Sequence, residues 1–387
     1  MPSWCGFPVR GSTERAGRRP RLLVLFLLLI GCTERPGMDI LTPITTAPAE
    51  ARGVTVHVAT TRERRSPEAN GFTNRRARDL NFAEYTVSVP PNHRPGRIEW
   101  PRIPADPAVS FAPLRDRVLG RDDFEAALAG RGCGEAAANT LVFVHGYNTN
   151  FPEALFRVVQ MAHDTDNRLI PILFAWPSDA ATLGYVADRD SAIYSRDYLA
   201  DLLARLTQIC PRGQITLVGH SMGGWLTVEA LRQLRLAGRD AVLARLHVAL
   251  ASPDIDIDVF RTQMQVIGPL TPPMTVLVSR DDRALSVSSQ LSGARQRLGL
   301  VNVHDPEVQE AARAAQLNIV DISGLEASDS FNHDRYVSFA GAYARMAATG
   351  RITPGAGLRQ AGAFIFNTVG TVIASPFVAV GQALAPE

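Results

Sequence analysis

Ser221 stands within Gln214 to Leu231, Q-I-T-L-V-G-H-S-M-G-G-W-L-T-V-E-A-L, with Gly219 two residues before it and Gly223 two after. A hydroxyl flanked in this way suits a nucleophile on a sharp turn, because the small neighbours let a strand and a helix approach closely around it. The flanks agree: Ile215 to Val218 are β-prone, and Trp225, Val228, Ala230 and Leu231 follow with helical spacing. A helix starting here points free backbone N–H groups and its positive dipole end at charge developing beside Ser221. The Met222 N–H is therefore a candidate half of an oxyanion hole. The same five-residue pattern also arises by chance on flexible turns; strand before and helix after are the context that separates the two readings.

A serine hydroxyl needs a general base, and the base needs an acid to fix its tautomer. The base cannot be a lysine, because all 40 Lys+Arg residues are arginine. The same fact excludes Schiff-base catalysis, a Ser-Lys dyad and a Walker A phosphate loop. Candidate acids follow two predicted strands: Asp281 and Asp282 in Thr275 to Arg283, T-V-L-V-S-R-D-D-R, and Asp254 in Ala251-Ser252-Pro253-Asp254. His333, in Ser330-Phe331-Asn332-His333-Asp334, follows the last predicted strand, and active sites of parallel sheets lie at that end; His304 precedes the strand. No HExxH, no paired Cys or His spacing and no dinucleotide-type glycine loop is present, so neither metal nor cofactor is expected.

Elements able to position these residues alternate from Thr140 onward. Strands are predicted at Leu141 to Val144, Ile170 to Ala175, Ile215 to Val218, Leu246 to Ala251, Thr275 to Val278 and Leu317 to Ile322. Helices are predicted at Pro152 to Ala162, Ser191 to Leu206, after Ser221, near Val259 to Met264, and from Arg335 to Met346. This alternation predicts an α/β fold, a mostly parallel sheet covered by helices on both faces. Before it, Val54 to Thr60 and Tyr85 to Val89 read as strands, with Arg62 to Arg78 as a solvated polar loop and a helix around Asp122 to Leu128. Residues 53–135 thus form an N-terminal strand-rich extension at the edge of the sheet.

The first 31 residues read as an export signal, an Arg-rich start followed by nine apolar residues, Leu22 to Ile30. Nine residues span only about 14 Å as a helix, too short for a bilayer core. Those 31 residues carry a net +4, and taking that from the formal net charge of +2 leaves −2. A nearly neutral remainder has no basic field for nucleic acid. Residues 32–52, rich in Thr, Pro and Ala, read as a flexible tether. The region from residue 349 to 387 is an uncharged apolar tail over most of its length, and membrane association and loose docking on the domain are its two readings.

The segments H-G-Y-N, G-H-S-M-G-G, S-P-D-I-D, S-R-D-D-R-A-L and N-H-D-R-Y together resemble an alpha/beta hydrolase of an uncharacterised bacterial group often exported as lipoproteins. The resemblance covers residues 53 to about 348. It implies an alpha/beta-hydrolase fold and a triad in chain order serine, acid, histidine: Ser221, Asp282 and His333, with Asp281 and Asp254 as alternative acids. It also implies that the loop after the Leu141 strand, V-F-V-H-G-Y-N-T-N, lies beside Ser221, so that Tyr147 N–H joins Met222 N–H in the oxyanion hole and His145 orients the loop. Leu-Ile-Gly-Cys resembles a lipoprotein box, with cleavage after Gly31 and lipidation of Cys32. Thr33 after the cysteine favours the outer membrane by that resemblance. The implied sheet makes the strands after Cys133 and Cys210 neighbours, so these two cysteines are expected to form a disulfide away from the site.

The expected activity is cleavage of a carboxylic ester through an acyl-enzyme, in the cell envelope and without cofactor. Amidase, thioesterase or acyltransferase chemistry on the same triad, and a noncatalytic envelope binding protein on a hydrolase scaffold, are the alternatives. The membrane is met through Cys32, and no nucleic-acid partner is expected. Trp176, Tyr185, Tyr194 and Trp225 are candidates to line an open site, or to pack beneath it.

Overall fold

Side chains of successive residues in a strand point to opposite faces, so a strand buried on both faces reads as a continuous apolar run. The computed structural model, which describes residues 35–44, 53–133, 139–165 and 169–340, contains six short strands beside three longer ones. In chain order they are β1 (Gly53–Arg64), β2 (Phe72–Ser88), β3 (Ala112–Leu119), β4 (Asn139–Val144), β5 (Leu169–Ala175), β6 (Ile215–His220), β7 (Leu246–Ala251), β8 (Thr275–Val278) and β9 (Asn318–Asp321). Of the short strands, β4, β5, β7 and β8 come closest to this pattern. They form one sheet in the order β3-β2-β1-β5-β4-β6-β7-β8-β9. β1 to β3 pair antiparallel, β1 joins β5 in parallel, and every further pairing is parallel.

The helices are α1 (Arg121–Gly130), α2 (Phe151–Asp164), α3 (Tyr185–Tyr194), α4 (Arg196–Ile209), α5 (Met222–Leu236), α6 (Asp240–Leu243), α7 (Ile257–Ile267), α8 (Arg283–Leu291) and α9 (Pro306–Ala314), and residues 335–340 are also helical. They make two cores. Val142, Val144, Ile172, Phe174 and Leu217 face the core shared with Leu203 of α4, Leu226 of α5 and Phe260 of α7. Leu141, Phe143, Leu173 and Ala175, the alternate residues, face the core of Leu155 and Val159 of α2 with Tyr336 and Phe339. The α/β fold with helices on both faces is as expected, and it delivers the C-terminal ends of β4 to β9 to one edge.

Three local expectations are corrected. Arg62 to Arg78 is not a loop: β1 and β2 continue as a hairpin, pairing Arg62 with Arg76 and Arg64 with Phe72. A ribbon with both faces largely polar carries no hydrophobic period to reveal it; it is held instead by Tyr194 and Tyr198 hydroxyls donating to the Ala77 and Arg78 carbonyls. The single helix expected at Ser191 to Leu206 is two. The break falls at Ser195, whose hydroxyl donates to the Ser191 carbonyl at 2.8 Å and meets Thr61 Oγ1 at 2.8 Å. Part of the expected tether is docked as well: Met38–Leu41 form a 3₁₀ turn with Ile40 and Leu41 buried in the α2 core. Cys32 and the 349–387 tail lie outside the described residues.

Cys133, three residues past α1, and Cys210, at the end of α4, are joined by a disulfide with Cα atoms 4.8 Å apart. The Thr140 hydroxyl at the start of β4 reaches Cys210 Sγ at 3.9 Å, so the bridge lies at the N-terminal ends of the neighbouring strands β4 and β6.

Candidate active site

Ser221 joins β6 to α5 with φ 54° and ψ −123°. Such a backbone costs about 1–3 kcal/mol for a residue with a Cβ and persists only where its surroundings fix it. Here they do: its N–H donates to the Ala251 carbonyl at 2.9 Å, and its own carbonyl accepts from Gly224 N–H at 2.9 Å and Asp254 N–H at 3.2 Å. A Cβ at Gly146 would stand 2.9 Å from Ser221 Cβ, and one at Gly223 would stand 2.5 Å from the Val144 carbonyl oxygen. Glycine at both positions therefore lets the loop after β4, with Tyr147, press against the Ser221 turn. Met222 is the first residue of α5, and its N–H belongs to the first turn, which has no intrahelical acceptor.

His145 braces that loop from behind. Its ring stacks on Trp176 with centroids 4.9 Å apart, and the Trp176 indole N–H donates to the His145 carbonyl at 2.7 Å. The ring nitrogens lie 2.9 Å from the Gly146 carbonyl and 3.0 Å from the Trp176 carbonyl. Burial, with the charge of Arg62 second, pushes its pKa down to about 3, so the ring is neutral at ordinary pH and donates to one of the two.

Asp282 caps α8. Its Oδ1 accepts from Leu285 N–H at 2.9 Å, which leaves Oδ2 to accept from His333 Nδ1 at 2.7 Å. The carboxylate is fully buried. With Nδ1 donating, the lone pair of the neutral imidazole sits on Nε2, the nitrogen a general base uses. Burial lowers the His333 pKa, but the Asp282 hydrogen bond and charge, with the charges of Asp329 and Asp254, outweigh it and the net shift is upward. The loop is held by Asp329, which accepts from His333 N–H at 2.9 Å. His220, the residue before Ser221, places its ring 4.6 Å from the His333 ring and its Nε2 3.3 Å from the His333 carbonyl. Burial and then the His333 charge drive its pKa well down, so it is a neutral donor that ties the histidine loop to the serine turn. Ser221 Oγ makes no hydrogen bond among the described residues; such bonds commonly tighten only once substrate is bound.

The other candidates are accounted for elsewhere. Asp281 accepts from both Arg335 terminal nitrogens, from Asn332 Nδ2 at 3.0 Å and from Ser279 Oγ at 3.0 Å. Its arginine is Arg335, not Arg280 or Arg283. Asp254 is hydrogen-bonded to Tyr185 and Ser288. His304 is exposed before α9. The aromatic residues are packing residues: Trp176 is buried behind His145, Tyr185 bonds Asp254, Tyr194 holds the hairpin, and Trp225 lies half-buried under Arg189. Among the described residues no group of three His, Cys, Asp or Glu side chains could hold a metal ion. The supporting roles of Asp329, His220 and Arg335 are not legible in the sequence: His220 and Arg335 lie inside the motif segments and Asp329 outside them, but their partners are brought together only by the loop after β9.

A parallel sheet with a strained serine between strand and helix and a histidine-carboxylate pair at the same edge defines an alpha/beta hydrolase. Residues 122–349 match the family described as alpha/beta hydrolase of unknown function (DUF900), and the chain belongs to that family. An uncharacterized protein, alr1448, of Nostoc sp. (strain PCC 7120) is 26% identical over 125 residues, 26% of this chain; the match spans about a third (33%) of that relative. Among solved structures, a putative hydrolase from Agrobacterium vitis S4 is 12% identical, covering 64% of this chain and 85% of that one, with a TM-score of 0.29. The peroxisomal alpha-beta-hydrolase Lpx1 of Saccharomyces cerevisiae is 12% identical, with 54% and 45% covered and a TM-score of 0.20.

Proposed function

We propose that this alpha/beta hydrolase is a serine hydrolase that cleaves carboxylic esters through an acyl-enzyme. The observation that carries the reading is the 2.7 Å contact of His333 Nδ1 with the α8-capping Asp282, beside the strained Ser221 turn. Ser221 Oγ attacks the ester carbonyl carbon while His333 Nε2 takes its proton, and Asp282 stabilises the imidazolium. The oxyanion is received by the Met222 and Tyr147 N–H groups. His333 then gives the proton to the leaving alcohol, and a water activated by the same nitrogen hydrolyses the acyl-Ser221.

Labelling with a fluorophosphonate probe tests the reading: wild type is expected to label, and Ser221→Ala to lose both labelling and hydrolysis. Labelling that survives in Ser221→Ala would sink it by assigning the reaction to another nucleophile, and a wild type that neither labels nor turns over would leave the noncatalytic binding protein. Rates on p-nitrophenyl butyrate against laurate, and on matched amides and thioesters, fix the acyl length and the bond cleaved.

We also propose that the chain is exported and lipid-anchored at Cys32 in the cell envelope. Support comes from the Leu29-Ile30-Gly31-Cys32 run. Cys32→Ser is expected to move the protein from the membrane to the soluble fraction; continued membrane binding would transfer the role to the 349–387 tail.

A further inference from the structure

Asp254 is a carboxylate with almost no access to water, and a buried charge persists only where it is paired and hydrogen-bonded. Its partners come from three directions. Oδ2 accepts from the Tyr185 hydroxyl of α3 at 2.9 Å, Oδ1 accepts from the Ser288 hydroxyl of α8 at 2.6 Å, and the buried Arg297 guanidinium lies 3.2 Å from Oδ1. Arg297 Nη2 donates to the Ser288 carbonyl at 3.3 Å, and the Tyr185 and Ser288 hydroxyl oxygens are themselves 3.0 Å apart. The turn that carries Asp254 is strained: Ser252 has φ 45°, and a Cβ on Gly299 would stand 2.9 Å from its carbonyl carbon.

Each partner leads to a different part of the machinery proposed above. The Asp254 N–H donates directly to the Ser221 carbonyl at 3.2 Å. The Tyr185 ring meets the Tyr147 ring edge-on at 5.3 Å, and the Tyr147 hydroxyl donates to the Ala181 and Thr182 carbonyls just before α3, so the loop offering the oxyanion donor rests on α3. Ser288 lies on α8, the helix capped by Asp282, which holds His333. Asp254 is not the acid of the triad, since its oxygens serve Tyr185, Ser288 and Arg297 while His333 Nδ1 meets Asp282.

We propose that Asp254 is a positioning residue of the catalytic site, a buried carboxylate that sets the serine turn, the oxyanion loop and the acid-bearing helix at fixed distances from one another. The proposal rests on the serine-hydrolase reading. Tyr185 and Ser288 transmit the constraint, and Arg297 is the charge paired with the carboxylate.

Tyr185→Phe and Ser288→Ala each remove one hydroxyl without leaving Asp254 or Arg297 unpaired, so they test the idea even if Asp254→Asn fails to fold. The readouts are kcat and KM for p-nitrophenyl butyrate, the rate of fluorophosphonate labelling, and Tm. Each hydroxyl variant is expected to lower kcat and the labelling rate about tenfold while KM moves less than about twofold, since displaced catalytic groups lose transition-state rather than ground-state contacts. The double variant is expected to lose less than the product of the two, because both hydroxyls act through one carboxylate. A lowered Tm with kcat and labelling unchanged well below the transition would reduce the cluster to a structural ion pair and overturn the proposal. If wild type itself neither labels nor hydrolyses, the serine-hydrolase reading falls and this inference falls with it; if wild type reacts through Ser221 and the variants match it, only this inference falls.

Discussion

Asp281 and Asp282 are adjacent, yet their side chains do different work. Asp282 turns inward to cap α8 and hold His333, while Asp281 turns outward to grip Asn332, just before that histidine, and Arg335, two residues after it. Asparagine caps a helix as well as aspartate does, so Asp282→Asn is expected to keep Tm nearly unchanged and remove only the charge and the tautomer control. A loss in kcat of about 10⁴-fold is the scale set by the corresponding change in serine proteases. Asp281→Asn leaves the buried Arg335 without its carboxylate, and is expected to lower Tm more and kcat much less. Parallel melting curves and initial rates separate the two; equal kcat losses would mean that the assignment of acid and clamp is wrong. On the proposed mechanism His333 must be neutral to accept the Ser221 proton, and its pKa is raised, so kcat/KM is expected to fall as pH drops through a value above the ordinary histidine range. Asp282→Asn should move that limb to lower pH.

At the scale of elements, the loop after β2 is pinned to the end of α2 by a histidine. His93 Nδ1 lies 2.6 Å from Glu99 Oε2 and Nε2 lies 2.9 Å from Asp164 Oδ1, while Asp164 Oδ2 also accepts from Gly96 N–H at 2.6 Å. Both ring nitrogens face carboxylates, so the imidazolium is the form that fits. Burial lowers its pKa, the Asp164 and Glu99 hydrogen bonds raise it, and the net shift is upward. A group with a raised folded pKa contributes stability in full below its unfolded value, about 6.5, and loses it as pH rises through the folded value. The Tm difference between wild type and His93→Gln is therefore expected to be large at about pH 6 and to shrink towards about pH 9. A difference independent of pH would show that the ring is merely packed. α8 has no counterpart among the predicted helices: R-A-L-S-V-S-S-Q-L is too rich in serine to read as a helix, and the Asp282 cap with Leu285 and Ser288 buried in tertiary contacts decides it.

Across the whole molecule the disulfide and the candidate site lie at opposite ends of the sheet. Cys133 and Cys210 tie the start of β4 to the start of β6, whereas Tyr147 and Ser221 follow the other ends of the same two strands. A bridge separated by 77 residues constrains the unfolded chain by about 4 kcal/mol on the loop-entropy model. Reduction is thus expected to lower Tm on the order of 10 °C while leaving kcat unchanged at temperatures where the protein stays folded. Melting with and without a phosphine reductant, beside rates at each condition, checks this. Loss of kcat before any loss of Tm would mean that the bridge acts on the site.

What the sequence by itself determined is local or periodic. Gly219-His220-Ser221-Met222-Gly223 announces its turn because glycine is required where backbone meets backbone, and β4, β5, β7 and β8 announce themselves because burial on both faces demands apolar runs. These fix the α/β class, the serine turn and the edge of the sheet where chemistry gathers. Only the tertiary structure decided which of two neighbouring carboxylates faces His333, because one peptide unit reverses a side chain and no periodicity distinguishes Asp281 from Asp282. It alone joined Asp254 to Tyr185, Ser288 and Arg297, 69 and 34 residues apart for the two hydroxyls, since a buried charge selects partners by position in space. The polar hairpin of β1 and β2 likewise waited for the structure: its stability comes from backbone pairing and from tyrosines on distant helices, neither of which leaves a hydrophobic pattern in its own residues.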